Sequence, residues 1–108
     1  MNIKFNSLEL FYFDTCPSWK DALHHLREAL IEMKIADKIE LIRIETNEEA
    51  EYHQFPGSPT IKLNDKDLFP THQKNYALGC RVYKTPDGFK GSPTKVMISE
   101  RLSELLNK

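Results

Sequence analysis

The sequence predicts an α/β domain with a central sheet of four strands and helices on both faces. Two observations support this fold class. The first half of the chain alternates between short apolar runs and segments of helical periodicity, in the order strand, helix, strand, helix. The second half continues as strand, loop, strand and helix. Because such alternation implies right-handed crossovers, we expect the first two strands to pair in parallel in the middle of the sheet.

The first strand and the first helix follow from the spacing of apolar residues. Residues 8–13 are an apolar and aromatic run that is typical of a buried strand. From Pro17 onward, apolar residues recur at steps of three and four, which predicts a helix of about four turns. Proline suits the first helical position because its missing N–H has no partner there. We therefore expect Cys16 at the N-terminal edge of this helix, exposed at the carboxyl end of the first strand.

The next elements are indicated by capping and turn residues. Residues 39–45 predict the second strand. Thr46, followed three positions later by Glu49, forms a capping box that opens a short acidic helix. Residues 61–63 alternate as a third strand, and the polar residues 64–67 predict the turn that ends it.

The motif Gly-Ser-Pro-Thr occurs twice, at residues 57–60 and 91–94, but the two copies lead into different elements. The first copy precedes the third strand, whereas the second precedes apolar residues at helical spacing. We therefore expect Ser92 to cap the last helix and Pro93 to begin it. Between the two copies, residues 80–83 predict a short strand that follows a polar loop.

Composition and charge exclude several classes of protein. The chain has 108 residues, 15 basic and 16 acidic side chains and a formal net charge of −1, so we expect one domain over residues 1–108. With nearly equal numbers of basic and acidic side chains, the protein has no positive electrostatic potential strong enough to bind nucleic acid or an anionic lipid surface. No apolar run approaches the ~20 residues of a membrane span, and the start of the chain lacks the features of a secretory signal. We therefore expect a cytoplasmic protein with neither nucleic acid nor a membrane as its partner.

Cys16 is the main candidate for chemistry. A thiol at a helix N-terminus faces unpaired N–H groups and the positive end of the helix dipole, and both favour the thiolate that attacks disulfides. Asp14 opposes this effect if its carboxylate points at the sulfur. The alternative is that Cys16 only fills a small space at the end of the strand. Two cysteines are too few for a small secreted disulfide framework, and they supply too few soft ligands for zinc unless histidines join them.

The order of these features resembles the thioredoxin superfamily over essentially the whole chain. It is similar in particular to small bacterial thioredoxin-like proteins with a Cys-Pro-x-Trp motif, some relatives of which carry selenocysteine there. The resemblance rests on the segments Tyr12-Phe13, Cys16-Pro17-Ser18-Trp19, Glu45-Thr46, Glu48-Glu49-Ala50, Phe55, Gly57-Ser58-Pro59-Thr60, Cys80-Arg81-Val82-Tyr83 and Gly91-Ser92-Pro93-Thr94. It implies a thioredoxin-like fold, with a mixed sheet of four strands flanked by helices on both faces.

The resemblance also implies a substrate site around the first Ser-Pro-Thr. In the superfamily, the proline of this segment follows a cis peptide bond and packs beside the motif cysteine, which here is Cys16. Such a bond is expected to leave the N–H and C=O of Ser58 facing outward, where an extended peptide can pair with them. The alternative is an ordinary trans proline at the start of an edge strand. The candidate substrate-binding residues are Pro17, Trp19, Ser58, Pro59 and Thr60.

The second thiol is the main departure from the family. Thioredoxins carry another cysteine three positions after the first, and this chain has Trp19 there, where we expect it mainly to cover the core. A mixed disulfide on Cys16 must then be released by another thiol, either glutathione as co-substrate or Cys80 as resolving thiol. In a thioredoxin-like arrangement the strand of Cys80 lies farther from the motif. The Cys80 thiol is therefore not expected to touch Cys16, unless residues 70–79 follow an unusual path.

This pattern favours a monothiol redox protein, in which Cys16 exchanges with protein or small-molecule disulfides or with glutathionylated targets, without a bound cofactor. Three alternatives stay open: a catalytically inactive protein-binding module, thiol-based handling of metals or organomercurials, and peroxide reduction, for which Arg81 is distant in sequence. Histidines do not support a metal site, because His24 and His25 point about 100° apart on a helix. His72 lies in a predicted loop that could reach Cys16 and donate a proton to a leaving thiol.

Overall fold

The computed structural model describes residues 7–71 and 75–106, and these fold around one sheet. Its strands are β1 (Leu8–Tyr12), β2 (Ile39–Arg43), β3 (Thr60–Leu63) and β4 (Lys66–Asp67), in the spatial order β2-β1-β3-β4. β1 pairs in parallel with β2 and antiparallel with β3, and β3 pairs antiparallel with β4. The predicted α/β class and mixed four-stranded sheet are therefore confirmed, as is the parallel pair. β2 lies at the edge of the sheet, however, and not in its middle.

Helices cover both faces of this sheet. They are α1 (Ser18–Glu32), α2 (Asn47–Tyr52) and α3 (Lys95–Leu106). Because side chains alternate along β1, Leu8 and Leu10 pack with α1 and α3, whereas Phe11 packs with Ala50 of α2 in a separate cluster. No helix within residues 7–71 and 75–106 has the length and apolar character that crossing a membrane requires.

The fourth strand of the sheet comes from a segment where the sequence predicts only a turn. β4 lies within residues 64–67, because the turn is completed by Asn64 and Asp65 alone, with φ angles of 52° and 68°. Both residue types tolerate the left-handed conformation, so the chain reverses within two residues and pairs back on β3. The prediction of a strand at residues 80–83 is wrong for residues 80–82, which form no regular strand, whereas Tyr83 begins a strand that lies outside this sheet.

The residues after the polar loop form a separate hairpin. Its strands are β5 (Tyr83–Thr85) and β6 (Gly88–Lys90), which pair antiparallel. The described segment before it, residues 75–82, contains no regular strand. Its Cys80 makes an isolated parallel bridge to Ser58. This bridge, and not sheet pairing, therefore connects the segment to the start of β3.

The last helix begins two residues later than the sequence predicts. Thr94, and not Ser92, caps it, because the Thr94 hydroxyl accepts a hydrogen bond from the Met97 N–H at 3.1 Å. The carbonyl of Pro93 points elsewhere and accepts a hydrogen bond from Nδ1 of His25 at 2.9 Å. This contact holds Pro93 against α1, and Pro93 lies outside the last helix.

The capping box of α2 is confirmed. The Glu49 N–H donates to the Thr46 hydroxyl at 3.1 Å, and the Glu49 carboxylate accepts from the Glu45 N–H at 3.2 Å. The first bond satisfies an N–H group that the first turn of a helix leaves without a partner, and the second satisfies the N–H of the residue before the cap. The capping residues of this short helix could therefore be identified from the sequence alone.

Candidate functional site

Cys16 lies in the turn between β1 and α1. Its N–H donates to the carbonyl of Phe13 at 3.0 Å, and α1 begins at Ser18, directly after Pro17. The predicted position of Cys16 at the N-terminal edge of the helix is confirmed. The prediction of an exposed sulfur is wrong, because Cys16 is only 2% exposed.

Cys16 contacts the residue that precedes the predicted cis proline. Its Sγ lies 3.8 Å from the carbonyl oxygen of Ser58. The Ser58–Pro59 peptide bond is cis, and it is the one cis bond within the part of the chain that the structure describes. Both the cis bond and its position beside Cys16 are therefore confirmed.

Cys80 also lies beside Ser58, the residue that Cys16 contacts. The Ser58 N–H donates to the Gly79 carbonyl, and the Ser58 carbonyl accepts from the Arg81 N–H, both at 2.8 Å. Cys80 lies between these two bonds, which place its thiol beside that of Cys16. The expectation that the Cys80 thiol does not touch Cys16 is therefore wrong, because the chain before residue 80 crosses the start of β3 instead of remaining on its own strand.

The proximity of Cys16 changes the pKa of the Cys80 thiol. The hydrogen bond to Cys16 raises the pKa of the Cys80 thiol, with further contributions from burial and from the charge of Cys16. A hydrogen bond that raises an acid's pKa is one that the protonated form donates. Cys80 therefore holds its proton more tightly than an ordinary thiol does.

Arg81 anchors the segment that carries Cys80. Its guanidinium, 8% exposed, donates to a carboxylate oxygen of Asp67 at 2.8 Å and to the Thr60 hydroxyl at 3.2 Å. It also donates to the carbonyl of Phe69 and lies over the ring of Tyr83, 4.7 Å from the centroid. Sequence reasoning missed this role, although a cation within an apolar run was a signal that a buried partner exists.

Gly57 allows the two segments to approach each other. Its φ is +136°, a conformation that side chains rarely adopt. A Cβ at this position would lie 3.0 Å from the Cβ of Arg81 and 3.2 Å from its backbone nitrogen. The absence of a side chain at Gly57 therefore permits the bonds between Ser58 and residues 79–81.

The residues predicted to bind substrate at the first Ser-Pro-Thr are internal. Ser58, Pro59 and Thr60 are all buried, and the backbone N–H and C=O of Ser58 are bonded within the chain. The Thr60 hydroxyl donates to the Gly57 carbonyl at 2.6 Å, and the Pro59 carbonyl accepts from the hydroxyl of Tyr83. The Ser58 hydroxyl is buried without a hydrogen-bond partner in the described part of the chain. The expectation of an outward-facing Ser58 backbone is therefore wrong, because residues 79–81 cover it.

Trp19 covers the core, as predicted. Its ring stacks on that of Tyr12, with centroids 4.3 Å apart and planes 29° apart, and it packs against the main core cluster. Pro17 is exposed at the start of α1. The packing between β1 and α1 therefore accounts for a tryptophan at this position.

The histidines that the structure describes serve other contacts. His24 is exposed and lies 3.3 Å from a carboxylate oxygen of Glu28, and His53 packs against the ring of Phe11. His72, the predicted proton donor, lies outside the described residues. Within residues 7–71 and 75–106, no three His, Cys, Asp or Glu side chains are grouped as a metal site requires.

A cavity of about 560 Å³ lies beside Cys80. Cys80 is exposed to it, whereas Cys16 is buried behind. The wall also includes Pro56, Phe69, Pro70, Val82 and Lys84. The site therefore consists of a buried thiol, a second thiol in contact with it, and an open cavity next to the second thiol.

Comparisons of the chain with family models, curated proteins and solved structures found no match. What the chain does is therefore inferred from the residues around Cys16 and Cys80. Two neighbouring thiols can together lose two protons and two electrons and form a disulfide.

Proposed function

We propose that this chain is a thioredoxin-like thiol–disulfide exchange protein whose redox pair is Cys16 and Cys80. The observation that carries the proposal is the contact of both cysteines with Ser58 and with each other. Cysteines brought together from distant parts of a chain can form a reversible disulfide when their sulfurs meet.

The arrangement of strands supports the thioredoxin-like assignment. A parallel pair of strands joined by a helix, followed by an antiparallel pair and a closing helix, is what the resemblance to that superfamily implies. The cis Ser58–Pro59 bond beside Cys16 adds to the similarity. The hairpin of β5 and β6, between β4 and α3, is an addition to this plan.

The reaction of the pair conserves atoms and electrons. A partner disulfide accepts two electrons and two protons and becomes two thiols, while Cys16 and Cys80 lose the same and become one disulfide. Cys16 lies at the N-terminal edge of α1, and Cys80 lies beside it at Ser58. Cys80 thus takes the place of glutathione as the second thiol, and the monothiol cycle becomes a cycle of two thiols within one chain.

The direct test is the mass of the intact protein after mild oxidation. We expect wild type, treated with glutathione disulfide and then denatured under acid, to lose the mass of two hydrogen atoms and to become unreactive to alkylation. Cys16→Ser and Cys80→Ser should each lose this internal bond, and Cys16→Ser should instead retain bound glutathione on the exposed Cys80. A wild-type protein that stays fully reduced, or that retains glutathione as Cys16→Ser does, would contradict the proposal.

A pH series tests the thiol contact separately. Because the contact raises the pKa of Cys80, its alkylation by iodoacetamide should reach half of its maximal rate at a higher pH in wild type than in Cys16→Ser. Peptide mapping by mass spectrometry follows Cys80 in both proteins. The same midpoint in both would show that the two thiols do not interact in solution.

A further inference from the structure

The two thiols of the proposed pair differ in access. Cys16 is 2% exposed, whereas Cys80 is an exposed residue in the wall of the 560 Å³ cavity. Thiol–disulfide exchange requires an in-line approach of the attacking sulfur, so the more accessible sulfur of a disulfide is the one that an outside thiol meets. The geometry therefore directs exchange to Cys80.

The path to Cys16 along the sheet edge is occupied by the chain itself. An extended peptide that added to this edge would need the N–H and C=O of Ser58, and these are bonded to Gly79 and Arg81 at 2.8 Å. Arg81 holds the segment in place through its buried ion pair with Asp67. Residues 79–81 thus fill the position of a peptide strand, and a protein partner cannot pair there while these bonds exist.

The cavity beside Cys80 has the size and charge for a small anionic partner. Its volume lies within the range of about 300–1,000 Å³ that small-molecule sites occupy. Lys84 contributes an exposed ammonium group to the wall, and none of the described residues that line the cavity is acidic. Apolar groups of Pro56, Phe69 and Val82 line it as well.

We propose that the partner of this protein is a low-molecular-weight thiol bearing a carboxylate, which enters the cavity and exchanges at the sulfur of Cys80, not of Cys16. This inference rests on the proposed Cys16–Cys80 disulfide. The partner thiolate attacks the Cys80 sulfur, the Cys16–Cys80 bond breaks, and Cys16 leaves as a thiolate at the N-terminus of α1. A second partner thiolate attacks the partner sulfur of the mixed disulfide, which releases the oxidised partner and a Cys80 thiolate that takes up a proton.

The first test locates the mixed disulfide. Oxidised wild type is mixed with mercaptopropionate, quenched with acid and excess N-ethylmaleimide within the first turnover, and mapped by mass spectrometry. We expect mercaptopropionate on Cys80 and maleimide on Cys16. The reverse pattern would overturn the inference and leave the Cys16–Cys80 pair intact, whereas the absence of any internal disulfide in the starting protein would remove the proposed function itself.

The second test measures the preference for an anion. Reduction rates with mercaptopropionate, mercaptoethanol and cysteamine, each corrected for its thiolate fraction and intrinsic nucleophilicity, should fall in that order. Lys84→Gln should reduce the advantage of mercaptopropionate over mercaptoethanol by about two- to fivefold, as expected for one exposed charge. Lys90→Gln, which changes an exposed lysine of the same hairpin outside the cavity, is the matched control. Equal rates for the three thiols, or an equal loss in both variants, would overturn the assignment of an anionic partner.

Discussion

The two cysteines of the candidate site are placed by different kinds of structure. Cys16 lies in a short turn between the central strand and the longest helix, and local bonds hold it there. Cys80 lies in a segment without regular strand structure, which the side chain of Arg81 ties to residues 12 to 21 positions away in sequence. The first placement depends on secondary structure and the second on a few long-range polar contacts. It follows that substitutions can release Cys80 while β1 and α1 stay folded.

Removal of the Arg81 guanidinium should have the largest effect. Arg81→Met leaves the Asp67 carboxylate without its partner and removes the bond to Thr60, so we expect the free energy of unfolding to fall by about 3 kcal/mol. Urea unfolding of the reduced protein measures this loss. The same variant should release residues 79–81 from Ser58 and increase the rate at which iodoacetamide alkylates Cys16.

The matched control for this variant is Arg27→Met. Arg27 makes an exposed ion pair with Asp37, with both side chains about half exposed, so its loss should cost at most ~1 kcal/mol and leave Cys16 protected. Equal losses for the two arginine variants, or unchanged Cys16 alkylation in Arg81→Met, would show that Arg81 does not hold the segment.

A side chain at Gly57 should have the next largest effect. Gly57→Ala places a Cβ against Arg81 at a φ of +136°, and we expect a loss of about 2 kcal/mol together with faster alkylation of Cys16. Gly79→Ala changes the neighbouring segment at a position where a Cβ meets nothing within 4 Å, so it should stay within about 0.5 kcal/mol of wild type. Thermal and urea unfolding measure the stability of the two glycine variants. Equal stability of Gly57→Ala and Gly79→Ala would contradict the close approach at Gly57.

Loss of a local cap should affect stability without affecting the thiols. Thr46→Ala removes the hydroxyl that accepts from the Glu49 N–H, which should cost about 1 kcal/mol of unfolding free energy. The Asn47 side chain of α2 accepts from the Leu78 N–H at 3.1 Å, but the bonds that place Cys80 itself are those of Ser58 to Gly79 and Arg81, so oxidation of the Cys16–Cys80 pair should proceed as in wild type. A change in the rate of disulfide formation, followed by intact mass, would show that the two regions are coupled.

The smallest effect is expected at Ser58 itself. Its bonds to Gly79 and Arg81 use the backbone, and its hydroxyl is buried without a partner among the described residues. Ser58→Ala should therefore change the unfolding free energy by no more than about 0.5 kcal/mol and leave disulfide formation intact. A loss several times larger, measured by urea unfolding, would mean that the hydroxyl makes a bond of its own.

Much of the frame around Cys16 could be predicted from the sequence. The apolar run of residues 8–13, the helical spacing after Pro17 and the Thr46 cap are local patterns, and each corresponds to an element of the structure. The errors lie at turns and helix ends. Two left-handed residues shorten the turn before β4, and Thr94 caps α3 in place of Ser92.

The meeting of the two cysteines was decided only by the tertiary structure. By itself, the sequence determined the α/β class and the place of Cys16 at the start of α1, because strand and helix periods repeat within a few residues. The sequence of residues 75–82 shows neither the helical nor the strand period, so its path could not be predicted in this way. It depends on the buried contacts of Arg81 and on the close approach at Gly57, which join parts of the chain that are distant in sequence. Such contacts form only when the chain folds, and they place Cys80 beside Cys16.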